Sequence, residues 1–302
     1  MRLFKHPIRE TIKNYVLRWK AFQTYLTKPE GDRGMIRPAG YEKVFYDDFS
    51  DKIDKNKWRL GQPWGHFHPE YLHQHYDIEG KEAYVSRDNK LVLEMRNRGL
   101  DVVKADLPDW RQNDEMPDQF TIPYAVGLVT TKESWQYGWF EAEIMLPKAV
   151  SLWPAFWLSG KHAWPPEIDI FEAYSKNGSD YRDRFLFRER PFVKIQPNLH
   201  YGVVEEGTKA MYGAYDVPVW NATSRFVHYA CWWEKDFIRI YYDGNMVFEC
   251  TDPEVLKWYN GEKREQFIII NNGVHDTGIE PKENAMLVRK VAVYQKTFAN
   301  VF

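Results

Sequence analysis

Three acids lie close together in the stretch Trp164-Pro165-Pro166-Glu167-Ile168-Asp169-Ile170-Phe171-Glu172-Ala173-Tyr174. On a regular strand side chains alternate between faces, so Glu167 and Asp169 share one face while Ile168 and Ile170 enter a core. Glu172 breaks that alternation. It points to the opposite face unless one extra residue, a β-bulge near Ile170-Phe171, returns it to the acidic side. Three like charges on one face repel each other unless one is protonated or a cation is bound. The arrangement fits glycoside hydrolysis with retention, in which one carboxylate is the nucleophile and a second carboxyl acts as acid, then base. That chemistry needs the two carboxyls about 5 to 5.5 Å apart, with the central Asp169 orienting the nucleophile and tuning its protonation. Four effective strand steps span about 13 Å between Cα atoms, so both Glu side chains must lean inward on a curved strand. A solvated acidic sheet face or a calcium ligand set is the alternative that these three residues alone leave open.

The elements that must position the acids read as short period-2 runs from Val44 onward. Strands are predicted at 82–86, 90–96, 126–132, 137–146, 152–159, 167–174, 198–204, 226–234, 237–242, 245–250, 265–272 and 286–295. Asp88-Asn89 and Asp243-Gly244 are the hairpin signals among them. Many strands and almost no helices predict an all-β, two-sheet antiparallel sandwich. The one internal helix is expected at 253–259, capped by Asp252 with Pro253 in its first turn. Cys231 and Cys250 fall on successive strands in a register that does not oppose them, so two free buried thiols are expected.

Residues 1–28 differ from the rest of the chain. Ile8, Ile12, Val16, Trp19 and Phe22 recur at helical spacing, among the bases Arg2, Lys5, Arg9, Lys13, Arg18, Lys20 and Lys28. They predict a basic amphipathic helix that docks on its own domain, with a membrane surface or a partner as the alternatives. Charges interrupt every candidate apolar leader core, so no secretory signal is expected. Residues 29–40, rich in Gly, Pro and charge, read as a linker. The domain division is thus 1–40, helical extension and linker, and 41–302, β-domain. Within 302 residues, 41 Lys and Arg face 43 Asp and Glu, which gives no electrostatic reason to expect nucleic acid. No segment approaches the roughly 18 to 20 apolar residues of a membrane span. The 13 Trp, 19 Tyr and 18 Phe exceed ordinary core needs and suggest surfaces that stack on rings such as sugars.

In these residues the chain resembles glycoside hydrolase family 16, the retaining endo-β-glucanases and endo-β-galactanases on a β-jelly roll. The bulged signature Glu-x-Asp-x-x-Glu stands at Glu167, Asp169 and Glu172. Tyr137-Gly138-Trp139-Phe140-Glu141 and Leu152-Trp153-Pro154-Ala155-Phe156-Trp157 resemble the strands before it. Tyr229-Ala230 through Trp233 and Ile238 to Gly244 resemble a later hairpin. The resemblance implies Glu167 as nucleophile, Asp169 as its assisting acid and Glu172 as general acid/base on a concave substrate cleft. Trp153 and Trp157 would flank that cleft, with Trp164 at its edge, although core packing explains a Trp equally well. His200 resembles a histidine on the concave sheet. Trp64 lies in a His-rich loop, with His66, His68, His73 and His75, that would line the negative subsites; its His-x-His pairs could also chelate zinc. No cofactor is required, and a structural calcium on the convex side is implied without identifiable ligands. The implied partner is a polysaccharide. It is either a laminarin-type β-1,3-glucan or, if Arg182, Arg184, Arg188 and Arg190 meet sulfate, a red-algal galactan such as agar, porphyran or carrageenan. A non-catalytic carbohydrate-binding or attachment protein using the same groove is the alternative.

Overall fold

The computed structural model describes residues 8–27, 37–68, 72–109, 112, 114–148, 151–173, 192–213, 216–275 and 282–297. The four arginines at 182–190 lie outside these, as do residues 29–36 of the expected linker. Two large antiparallel sheets face each other across one apolar core, as the sequence pattern predicts. One runs in the order Asn245–Cys250, Phe237–Tyr242, Val227–Glu234, Gly138–Met145, Met286–Lys296, Leu91–Leu93, Ala83–Val85, with Tyr41–Asp47 also paired to Met286–Lys296. The other, the acid-bearing sheet, runs Ala210–Gly213, Phe192–Tyr201, Glu167–Glu172, Leu152–Gly160, Gln266–Val274, Leu128–Thr131, Trp58–Leu60, and Val217–Trp220 pairs with Phe192–Ile195.

Period-2 alternation builds the sandwich. Phe140, Ala142 and Ile144 from the first sheet meet Phe156, Leu158, Ile168 and Ile170 from the second in a single buried cluster. Each such side chain contributes about 1.5 to 3 kcal/mol by leaving water. Asp243 and Gly244 both take positive φ, 48° and 76°, and close the two-residue hairpin between Tyr242 and Asn245. Cys231 pairs with Ile240 while Cys250 pairs with Ile238; neither is in a disulfide and both are buried.

Tyr41–Asp47 has no counterpart in the predicted set, and neither do several short strands, namely Trp58–Leu60, Gln74–Tyr76, Leu100–Val103, Gln119–Ile122, Ala210–Gly213 and Val217–Trp220. At three or four residues each, the short strands show too little alternation to stand out in sequence. The internal helix is shorter than expected, Pro253–Leu256. Trp258 and Tyr259 instead donate to carbonyls three residues back, Val255 and Leu256, a tighter turn that carries Tyr259 into the core.

The N-terminal helix, Ile8–Thr27, packs on the strands Asn245–Cys250 and Val217–Trp220. Of the predicted apolar face Phe22 packs against the core, while the rest of the docked face is built differently. Asn14 Nδ2 donates to the Glu249 carbonyl at 3.0 Å and Asn14 Oδ1 accepts from the Glu249 amide at 2.8 Å, so one amide side chain caps an edge strand as another strand would. Ala21 and Tyr25 join the core, and the Tyr25 hydroxyl donates to Asp243 Oδ2 at 3.1 Å. These contacts fix the helix rotation and leave Ile12, Val16 and Trp19 facing solvent.

Candidate active site

The acids are brought together by one inserted residue. Along Leu152–Gly160, Phe156 opposes Phe171 and the next residue, Trp157, opposes Asp169, so Ile170 has no counterpart. On the other flank, Asp169 opposes Asn198 and Glu172 opposes Gln196, three steps on one strand against two on its neighbour. Ile168, Ile170, Phe171 and Ala173 all enter the core, which leaves Glu167, Asp169 and Glu172 on the opposite face. Apolar burial on one side thus sets the acid geometry on the other.

Indole N–H groups hold the two outer carboxyls. Trp164 Nε1 donates to Glu167 Oε2 at 2.8 Å, and Trp153 Nε1 donates to Glu172 Oε1 at 2.9 Å. His200, directly opposite Glu167 on the neighbouring strand, places Nε2 3.3 Å from Glu167 Oε1 and 3.4 Å from Asp169 Oδ2. Asn198 Nδ2 lies 3.0 Å from the same His200 nitrogen. Beneath them the buried Tyr259 hydroxyl donates to the backbone carbonyls of Glu167, 2.9 Å, and His200, 2.7 Å, tying the two strands together.

Glu167 and Asp169 are buried, and among the described residues neither has a Lys or Arg partner. Burial, reinforced by the Asp169 charge, pushes the Glu167 carboxyl up to about 8, against the pull of His200 and the Trp164 hydrogen bond. Burial likewise pushes Asp169 up to about 8, opposed by a hydrogen bond from Asn198. Two neighbouring carboxyls that both resist ionisation disfavour the doubly ionised state. Such a pair can present one anionic oxygen while its neighbour donates a hydrogen bond. Burial also raises the Tyr76 hydroxyl, and the Glu167 charge adds to it.

Among the described residues, only Glu167, Asp169 and His200 gather as three potential metal ligands, their nearest atoms within 4.8 Å of one another. The His-rich loop forms no such group: His73 Nε2 lies 3.0 Å from the Val274 carbonyl and His75 Nε2 3.1 Å from that of Arg98. The acids Glu141 and Glu143 on the opposite sheet do not fit an implied calcium. Arg37, His228 and Lys290 surround Glu141, and Arg289 and Lys290 engage Glu143.

The four tryptophans singled out in sequence occupy different settings. Trp153 and Trp164 touch the acids directly. Trp157 Nε1 donates to Asn271 Oδ1 at 2.7 Å, and Trp157 and Trp64 both border an apolar cluster that includes Tyr76 and Phe267. Trp164 is 38 % exposed, with Lys209 Nζ 4.1 Å over its ring. His68 and His275 each stand 6.0 Å from the Trp153 ring. Sequence reasoning did not single out Asn198, Gln196, Asn271, Lys209 or Tyr259. A signal existed for two of them: Gln196, Asn198 and His200 alternate with apolar or Pro residues, the pattern of a polar face opposite the acids.

A two-sheet sandwich that carries two indole-held glutamates flanking a buried aspartate fits a class of carboxyl-dependent carbohydrate-active proteins. Residues 72–272 match the family described as Glycosyl hydrolases family 16, and the chain belongs to that family. It is 26 % identical over 293 residues to the glucan endo-1,3-beta-glucosidase A1 of Niallia circulans, covering 85 % of this chain and 38 % of the relative. The chain thus spans well under half of that relative's length. In structure it is similar to a chain from work on endo-acting O-glycanases that members of the human gut microbiota express to initiate mucin breakdown. That match has a TM-score of 0.66 and 25 % identity, over 87 % of this chain and 94 % of the other. The catalytic domain of an endo-1,3-beta-glucanase (laminarinase) from Thermotoga petrophila RKU-1 shares the fold, with a TM-score of 0.59 and 22 % identity over 87 % of this chain and all (100 %) of that one.

Proposed function

We propose that this protein is a retaining endo-glycosidase that cleaves β-1,3-glucan of the laminarin type. The observation that carries the reading is the unpaired Ile170, which places Glu172 on the face that holds Glu167 and Asp169. In the first step Glu167 attacks the anomeric carbon while Glu172 gives its proton to the glycosidic oxygen. The C–O bond to the leaving chain breaks and a covalent glycosyl–enzyme forms on Glu167. In the second step Glu172, now a carboxylate, takes a proton from water as the water oxygen attacks the same carbon. Glu167 leaves, and the β configuration is restored. Asp169, next to Glu167 on the same face, orients the nucleophile and tunes its protonation. Trp164 and Trp153 fix the two carboxyls, and their ring faces, with those of Trp157 and Trp64, supply stacking surfaces for sugars. The β-1,3-glucan assignment rests on the activity named for the Niallia circulans relative and on this aromatic lining.

The test is incubation with laminarin, mixed-linkage β-glucan, red-algal galactans and mucin O-glycans, scored as new reducing ends. Laminarin is expected to be cut by the wild type and left intact by Glu167→Gln. Cleavage of a galactan or a mucin glycan alone would move the substrate. Binding without any cleavage would make the groove a recognition site. No step is assigned to a metal, so a chelator is expected to leave the rate unchanged; a rate lost to chelation and restored by a divalent cation in a protein that keeps its fold by circular dichroism would overturn the metal-free reading.

A further inference from the structure

The N-terminal helix carries a second apolar face that the sandwich does not use. At about 100° per residue, Asn14, Ala21 and Tyr25 lie together on the docked side. Ile12, Tyr15, Val16, Trp19 and Leu26 fall in one arc on the other side. They are 58 %, 65 %, 42 %, 54 % and 39 % exposed, and they supply nearly half of the exposed large apolar side chains among the described residues. A hydrophobic stripe of this length turned to water marks an interaction surface.

Charge identifies the occupant. Arg9 and Lys20 are exposed along one margin of the stripe, beside Lys13, which pairs with Glu249 at 2.5 Å. Along the other margin Arg18 lies 5.2 Å over the Tyr15 ring and donates to the Asp216 carbonyl. The helix holds one acid, Glu10, against these four bases. Seating two copies ridge to ridge would bring cationic margins together with one acid per helix to offset them. An anionic lipid surface accepts both features at once. Trp, Tyr and aliphatic side chains enter the headgroup boundary while flanking Arg and Lys meet lipid phosphates. The docked face is held by the Asn14–Glu249 pairing and the Tyr25–Asp243 bond, so the stripe is presented without unfolding the helix. The helix also packs on Val217–Trp220, which pairs with the end of Phe192–Tyr201 remote from His200.

We infer that the outer face of the helix Ile8–Thr27 is a docking surface for anionic phospholipid bilayers. The full chain is tested by co-sedimentation with vesicles of phosphatidylcholine alone and of phosphatidylcholine with phosphatidylglycerol, alongside analytical ultracentrifugation without lipid. Binding to the anionic vesicles, weakened by salt and absent with neutral vesicles, is expected. Ile12→Ser/Trp19→Ser is expected to weaken it about tenfold or more. Arg9→Glu/Lys20→Glu is expected to cost about fivefold for each charge removed. Both variants should keep the hydrolytic rate and circular dichroism of the wild type, since neither touches the core or the acids. No vesicle binding, equal binding to neutral vesicles, or binding unaltered in Ile12→Ser/Trp19→Ser overturns the inference. So does a dimer in solution that Ile12→Ser/Trp19→Ser dissolves, which would assign the face to a second copy.

Discussion

The two sheets of this sandwich bury carboxylates in opposite ways. On the acid-bearing sheet no Lys or Arg among the described residues stands beside Glu167 or Asp169, and burial drives both up to about 8. On the other sheet burial also works against ionisation of Glu141, yet His228, Trp139 and Lys290 outweigh it and hold Glu141 below the usual carboxylate range. Glu143 is lowered in the same manner by Lys290 and Arg289, and Glu249, on that sheet's edge, by Lys13 and Arg239. Burial works against ionisation on both sheets, and the neighbours decide the sign. One sheet uses its acids as structural anions. The other keeps them where they resist ionisation, as an acid–base site requires.

Breaking the contrast on the cleft side has the largest expected effect. Glu167→Gln should lower turnover on the order of 10⁴-fold or more, with laminarin binding retained in calorimetry. Glu172→Gln should lower it about 10² to 10⁴-fold on polysaccharide. Much of that loss should be recovered on an aryl glycoside whose leaving group needs no proton. Equal losses on both substrates would remove Glu172 from the acid role.

Asp169→Asn sharpens the comparison through pH. The Asp169 charge is one cause of the raised Glu167 carboxyl, so its removal should move the acid limb of the rate profile to lower pH while turnover falls about 10²-fold. Stability should respond as well. Between the unfolded carboxyl range near about 4 and about 8, the folded state holds protons that the unfolded chain has released. The wild type therefore loses stability as pH rises through that window. Asp169→Asn should flatten this slope in melting curves taken from acid to neutral pH, and an unchanged slope would show that the aspartate is ionised in the fold.

The smallest effect on catalysis is expected from the opposite sheet. Glu141→Gln leaves His228, Lys290 and Arg37 around a neutral side chain and should cost about 1 to 3 kcal/mol of stability in denaturant unfolding. Its turnover should match the wild type. A large loss of activity with normal stability would mean that the two sheets are coupled and that their acids cannot be treated separately.

Much of this contrast was legible before any coordinates. The alternation around Glu167 and Asp169 and the misplaced Glu172 called for a bulge, because only one extra residue reconciles three acids with an aliphatic core side. Asp243-Gly244 announced its hairpin through positive φ. The rotation of the N-terminal helix was not legible. Its apolar spacing pointed to Ile12, Val16 and Trp19 as the packing face, whereas a polar residue, Asn14, fixes the docking by replacing a strand partner for Glu249. That contact joins residues 235 positions apart, and no local pattern encodes it. The same holds for Asn271 under Trp157, 114 positions away, and for Tyr259, whose hydroxyl reaches the carbonyl of Glu167 across 92. The partners of Glu141 were equally hidden, since strand pairing alone brings Lys290 and His228 to it.

The most direct measurement of the central claim is trapping of the reaction halfway. A fluorinated β-glucosyl substrate analogue that forms the glycosyl–enzyme quickly and hydrolyses slowly would be mixed with the protein, followed by intact-mass and peptide mass spectrometry. A single adduct on Glu167, absent after Glu167→Gln and released with retained β configuration when an acceptor sugar is added, is the predicted result. An adduct on Glu172 or Asp169, or a first product of inverted configuration, would contradict it.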